Sequence, residues 1–381
     1  MSSKIRLGIL GGGGDSLIGV LHRGAANMYD KYALIGGVFN PIWKENIGFA
    51  TKIGLPINRI YKDFDTLIEE ELKLPESDRM QVVSILTPNF LHFPMAKKLL
   101  ENGFHVICEK PMTTTFVEAS ILNEILKKSK TIFAVTYTYT GYPMIRQMRE
   151  MIKNGTLGTI QKIDAQYYQG WINPIIHDTE KRSSTWRLNP DKSGISCCLA
   201  DIGTHAFDML EFLSGLRIES ILADLNYLYS DNKMDIDAAI LLRCSQNVKG
   251  VICISQIATG EENSFVIKIY GDKGGLKWEQ ENPNYLSLLQ EGVPLQVLKP
   301  GHTYNSQLSL EGTKLPPGHP EGIFEAMGNI YKGVAKAIQK ESYNSGEFPT
   351  MIDGLRGINF IEKAVESHLN GNVWVNIDTI K

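Results

Sequence analysis

Two short stretches hold side chains that could do chemistry together. Glu109-Lys110-Pro111 closes the apolar run Phe104–Cys108, and Asp201-Ile-Gly-Thr-His205 comes later in the chain. Between them they supply an ammonium, an imidazole and a carboxylate. That is the minimum set for moving a proton while a hydride leaves a carbinol carbon, because an imidazole titrates near neutrality and can act as base. Asp201 and His205 fall at the start of a predicted helix over 203–214, where their spacing puts both on one face. The carboxylate is therefore expected to hold the tautomer of His205. Lys110 precedes a proline, which disfavours helix for its backbone and lets the side chain be aimed across a crevice.

A hydride needs an acceptor, and the N-terminal segment has a place for one. Gly11-Gly12-Gly13-Gly14-Asp15-Ser16-Leu17-Ile18-Gly19 follows the strand-like run Ile5–Leu10 and opens the helix-like run Ile18–Met28. Glycines permit the positive φ of a tight turn and a close approach of backbone N–H groups to a pyrophosphate, which a helix N-terminus favours electrostatically. The spacing departs from a clean G-x-G-x-x-G, since Gly14, Asp15 and Ser16 lengthen the turn. Gly11, Gly13, Gly14, Asp15, Ser16, Leu17 and Ile18 are expected to meet a dinucleotide. Asn40 stands at the end of the second run, where an acidic residue would hold the ribose of NAD; its amide can bond that hydroxyl without repelling a 2′-phosphate, and Lys44 is near. The choice between NAD and NADP stays open, leaning to NAD, and Asn40 reads equally well as a turn residue before Pro41. Thr87-Pro88-Asn89 and His92 follow the run Met80–Leu86 and would place polar groups at the same edge, although Thr-Pro-Asn also suits a helix entry.

These residues need a scaffold that brings strand ends together. The first third alternates short β-branched runs (Ile5–Leu10, Ala33–Phe39, Met80–Leu86, Phe104–Cys108, 131–137) with segments of helical period (18–28, 43–53, 91–102, 115–129). Such alternation predicts a doubly wound parallel sheet, the Rossmann pattern, with ligand at the carboxyl ends of its strands. Beyond residue 140 the pattern changes. Helices are predicted over 143–153, 203–214, 321–340 and 351–369, and strands over 160–169, 218–225, 237–244, 248–255, 264–270 and 275–279. That predicts an α+β second domain with a large, mainly antiparallel open sheet. The stretch 281–320, rich in Pro, Gly and Asn, reads as a loop excursion. The domains are accordingly 1–138 for the dinucleotide and 139–381 for substrate and oligomerisation.

Composition narrows the partners. At 381 residues, 43% hydrophobic and 21% charged, the chain is long enough for two cores. A net charge of −3 without a long run of one sign argues against nucleic acid or an anionic membrane and for a small molecule. Five cysteines without a C-x-x-C pair or a His cluster argue for reduced thiols, no disulfide framework and no metal site. The start Met-Ser-Ser-Lys-Ile-Arg runs directly into a strand pattern, and no run approaches the ~20 apolar residues of a membrane span, so a cytoplasmic protein is expected.

Taken in order, the glycine turn, Thr87-Pro88-Asn89, Glu109-Lys110-Pro111, Trp186-Arg187 and Asp201-Ile-Gly-Thr-His205 resemble the Gfo/Idh/MocA family of nicotinamide-dependent oxidoreductases over nearly the whole chain. The resemblance implies that Lys110 contacts substrate hydroxyl and nicotinamide, that His205 is the acid/base, and that Asp201 orients it or binds substrate. It also implies that Trp186 and Arg187 reach the cofactor or a neighbouring subunit, and that the open sheet joins subunits into a homodimer or homotetramer; Glu109, next to Lys110, is expected at the cofactor in a supporting role. Three departures stand out. Gly194-Ile-Ser-Cys197-Cys198-Leu-Ala precedes Asp201 where many members have glycines, Asn40 replaces an acidic residue, and the long glycine turn continues into His22-Arg23.

The expected reaction interconverts a secondary alcohol and a ketone on a sugar, polyol or glycoside. Tyr139 and Trp171, with Tyr137, Tyr142, His177 and Trp186, could present ring faces and hydroxyls to a carbohydrate. Two other readings remain. Some relatives cleave a glycosidic bond with transiently reduced NAD, and a dinucleotide-sensing regulator would keep the fold without turnover.

Overall fold

The structure, a computed structural model, describes residues 4–176, 178–227, 234–343 and 346–378. The short β-branched runs of the first third form five strands, β1 Ile5–Gly11, β2 Tyr32–Val38, β3 Val82–Leu86, β4 His105–Cys108 and β5 Phe133–Val135. They pair in parallel in the order β2-β1-β3-β4-β5. Leu7, Ile9, Val82, Val83, Val106 and Ile107 are fully buried, as a sheet covered on both faces requires. The winding reverses at β1, which lies between β2 and β3, so the loops after β1 and β3 part to open a crevice.

The helix Phe64–Lys73 adds to the expected set. Asp63 caps it by accepting from the Thr66 N–H at 2.8 Å, and Leu67 and Ile68 turn inward.

The second sheet has nine strands in the order β13-β12-β11-β10-β6-β9-β8-β7-β14. They are β6 Ile160–Tyr168, β7 Ile218–Tyr227, β8 Asp235–Cys244, β9 Lys249–Ser255, β10 Ser264–Gly271, β11 Gly274–Glu279, β12 Leu286–Gln290, β13 Val293–Leu298 and β14 Val375–Asn376. All neighbours are antiparallel except β6 and β9. Alternate residues such as Ile163, Ala165, Ile252, Ile254 and Ile267 share one core with Met144, Met148, Phe207 and Leu210 of the helices Pro143–Lys153 and Thr204–Ser214. The doubly wound first sheet and the mainly antiparallel second one are thus both present.

The stretch 281–320 is not a plain loop. It carries the hairpin β12–β13, turned at Glu291-Gly292 with Gly292 at φ +69°, and the helix Gln307–Gly312. β13 is an exposed edge, the place in a sheet where a proline such as Pro294 is tolerated, so neither burial nor composition marks it as a strand.

Residues after the second sheet return to the first. Met327, Ile330, Tyr331 and Val334 of the helix Ile323–Ile338 share a core with Ile5, Leu7, Ile9 and Leu21, and the Val135 N–H donates to Pro349 O at 3.0 Å. No described helix is long and apolar enough to cross a membrane.

Candidate active site

A crevice of about 470 Å³ opens at the carboxyl ends of β1, β3 and β4. Ser16, Leu17 and Ile18, then Thr87, Pro88, Asn89 and His92, then Glu109 and Lys110 line one side; Trp186, Arg187, Cys197 and Asp201 line the other. Gly11, Gly13, Gly14, Asp15, Asn40, Tyr139, Trp171 and His205 are not among the lining residues.

The glycine turn explains its own composition. Gly11, Gly12 and Gly14 have φ of +83°, +67° and +59°. A Cβ on Gly19 would lie 1.8 Å from Gly12 O, so the first helix can sit against the turn only without side chains there. Ser16 caps that helix, accepting from the Gly19 N–H at 3.2 Å. The result is a Cβ-free backbone cradle beside a helix N-terminus, which fits a dinucleotide pyrophosphate.

Two residues expected at the cofactor have other partners. Asn40 Oδ1 accepts from the Ile42 N–H at 2.8 Å, the turn role, which leaves its amide nitrogen to meet a ligand. His92 is fully buried, its ring nitrogens 2.7 Å from Thr87 O and 2.8 Å from Pro111 O, so it ties two crevice loops together.

Glu109 is braced from behind. Its Oε1 accepts from Thr136 Oγ1 at 2.5 Å and lies 2.8 Å from His22 Nε2. His22 Nδ1 is 2.7 Å from the Tyr331 hydroxyl, itself 2.8 Å from Ser84 Oγ. Burial alone would raise the Glu109 carboxyl, but the contacts with His22 and Thr136 outweigh it and bring the pKa down to about 2. A carboxylate therefore stands at the crevice floor beside Lys110.

Lys110 Nζ donates to Asp201 O at 2.6 Å and to Asp201 Oδ1 at 2.9 Å. Asp201 lies in a wide π-type turn, Leu199–Gly203, before the helix Thr204–Ser214 begins. This alters the expected pairing: among the described residues no hydrogen bond joins Asp201 to His205, because the turn swings the carboxylate toward the lysine. Arg187 Nε is 3.4 Å from Oδ1, and Gln256 Nε2 donates to Oδ2 at 2.8 Å. Burial opposes the charge on Asp201, yet Lys110 and Arg187 hold its carboxyl well below the usual range.

His205 is 7% exposed, with the rings of Tyr139 and Tyr137 edge-on at centroid distances of 4.8 and 5.6 Å. Burial, then the Lys110 charge, push its pKa down to about 3, so the imidazole is held neutral. Behind it the Tyr139 hydroxyl is 2.5 Å from that of Tyr167, which donates to Asn263 Oδ1 at 2.6 Å. The Tyr137 hydroxyl pairs with Thr204 Oγ1, Tyr142 packs on Trp278, and Trp171 packs on the small cluster around Cys197. The Arg187 guanidinium lies over the Trp186 ring at 4.7 Å. His177 lies outside the described residues.

Sequence reasoning missed three supports. His22 was visible only as a neighbour of the glycine turn. Asp235, which accepts from the Cys197 and Leu199 N–H groups at 2.8 Å each, and Gln256 carry no local signal, since both act through residues distant in the chain.

Residues 5–137 match the oxidoreductase family with an NAD-binding Rossmann fold, and residues 145–277 match the GFO/IDH/MocA C-terminal domain. The chain belongs to the Gfo/Idh/MocA family. It is 32% identical over 384 residues to the uncharacterized oxidoreductase YfiI of Bacillus subtilis (strain 168), covering 98% of this chain and 97% of the relative. An inositol dehydrogenase homologue of Azotobacter vinelandii, solved with NAD+, superposes with a TM-score of 0.91 at 32% identity over 98% of each chain. The same homologue with NADH and myo-inositol gives a TM-score of 0.89, again at 32% identity over 98% of each chain. As a member of this family the protein is an NAD(P)-dependent oxidoreductase, and the N-terminus of its first helix, at Ser16–Ile18, lines the same crevice as Lys110.

Proposed function

We propose that the protein interconverts a secondary hydroxyl and a ketone on a polyol, sugar or glycoside, with NAD in preference to NADP. The observation that carries this reading is an ammonium held at the crevice by Asp201, with a neutral, almost fully buried imidazole following in the next helix. A bound nicotinamide supplies the two-electron acceptor or donor. Of the protein's own groups, the N–H groups around Ser16 would hold the pyrophosphate and Lys110 would stabilise the oxyanion left when a hydroxyl is deprotonated. His205 would take that proton on a ring nitrogen. Asp201 keeps the lysine aimed, so that its ammonium is positioned where charge develops on the substrate oxygen. The polar cluster of Tyr139, Tyr167 and Asn263 beside His205 suits a substrate with several hydroxyls, as does the myo-inositol bound by the Azotobacter homologue. Association of two or four copies through the open face of the second sheet belongs to the same reading.

The test is a panel of inositols, sugars and glycosides followed by the absorbance of reduced nicotinamide. The expected result is stoichiometric reduction of NAD with one or more members, lost in Lys110→Ala and His205→Ala. Full turnover in either variant, or glycoside cleavage without net reduction, would overturn it.

A further inference from the structure

Asp201 is held from behind by residues that, among the described ones, form no hydrogen bond with Lys110. Gln256 is fully buried just beyond β9, its backbone N–H donating to Ile236 O at 2.8 Å. Its Nε2 donates to Asp201 Oδ2 at 2.8 Å, and its Oε1 accepts from Cys197 Sγ at 3.4 Å. The two ends of a primary amide have nearly the same shape, so hydrogen bonding decides which of them faces the carboxylate. A thiol donor at Oε1 leaves Nε2 for Asp201; the reversed amide would set oxygen against oxygen. Cys197 is itself anchored, since its N–H and that of Leu199 donate to the two oxygens of the buried Asp235. The contacts therefore run from the end of the second sheet to the crevice.

We propose that Gln256 and Cys197 are positioning residues for Lys110. The thiol orients the amide and the amide holds Oδ2 of Asp201. Asp201 then offers Oδ1 and its carbonyl to the ammonium and leaves the third N–H of Lys110 for the substrate oxygen. Removing the amide leaves Oδ2 buried without that donor, and a glutamate at 256 places two carboxylates together that cannot both ionise readily.

One arm of the test needs neither substrate nor cofactor. Lysines of the purified protein are acetylated with limiting acetic anhydride at mildly alkaline pH, and the Lys110 peptide is quantified against those of the exposed Lys52 and Lys62. Gln256→Leu is expected to raise the relative labelling of Lys110 by about tenfold, and Cys197→Ala by about threefold, the scale of one lost charged or weak hydrogen bond. Cys197→Ser keeps a donor and should stay near the parent. Unchanged labelling in Gln256→Leu with a parent-like melting temperature overturns the proposal. Should that variant not fold, equal rates in Cys197→Ala and Cys197→Ser overturn it instead.

The second arm rests on the proposed oxidation. With a substrate from the panel, Gln256→Glu should regain turnover as pH falls from neutral, when one proton is shared by the facing carboxylates, whereas the parent shows no such acid-side recovery. A parent-like pH profile in that variant counts against the positioning role. A panel with no substrate counts against the oxidation reading alone, because the labelling arm is independent of it.

Discussion

The two sides of the crevice are built on different principles. The side from the first sheet is largely backbone, strand ends and a helix N-terminus set beside a glycine turn, with Lys110 and Glu109, the latter pinned by His22 and Thr136, as its charged side chains. The facing side presents side chains, Arg187 and Asp201, with Asp201 held by the buried Gln256 and His205 set behind against the buried ring of Tyr139. A backbone cradle suits a phosphate, which asks for N–H groups and space. Proton transfer asks for one atom in one place, and that takes a supporting shell.

The contrast yields a ranked set of outcomes. His205→Ala should lower kcat by ~10²–10⁴-fold, the usual worth of a positioned acid/base, with NAD affinity unchanged by calorimetry. Loss of NAD binding in that variant would erase the division between the two sides. Gly19→Ala should do the opposite. Its methyl would sit 1.8 Å from Gly12 O, so turn and helix must separate. Overpacking of this kind costs ~1–3 kcal/mol in thermal or denaturant unfolding, and the weakened cradle should raise the Kd for NAD.

His22→Phe takes one of two partners from the buried oxygen of Glu109 and should cost ~1–3 kcal/mol in urea unfolding. It would sharpen the comparison if NAD affinity falls more than kcat does. A further outcome concerns pH dependence. His205 has its pKa lowered from 6.5 to about 3, so between these values the unfolded chain binds a proton that the folded one refuses. Stability should therefore be full above pH 6.5 and decline as pH falls toward about 3. His205→Asn should flatten that decline in melting temperatures measured across the range, and an unaltered slope would show that other groups set it. His105, lowered to about 4 by burial, contributes in the same direction and remains in the variant.

Much of the first side was legible. Short, continuous β-branched runs alternating with helical ones leave a parallel sheet covered on both faces as the economical solution, and glycine between strand and helix marks the cradle. The helix Phe64–Lys73 was harder to read, because its apolar face is short and its capping Asp63 follows an irregular stretch. The hairpin β12–β13 was hidden because its outer strand is an exposed edge and shows no buried alternation.

The second side was legible only as a set of residue types. Lys110, Asp201 and His205 could be grouped from their chemistry together with the family resemblance, and the sequence by itself determined the parallel sheet, the glycine cradle and the family. Which of the three meets which was decided by tertiary structure. The π-type turn at Leu199–Gly203 rotates Asp201 away from His205 and toward Lys110, where Gln256 keeps it. Spacing along a helix assumes an ideal helix, and a single wide turn, held by the carboxylate of Asp235 on β8 and the amide of Gln256 just beyond β9, is enough to redirect a side chain.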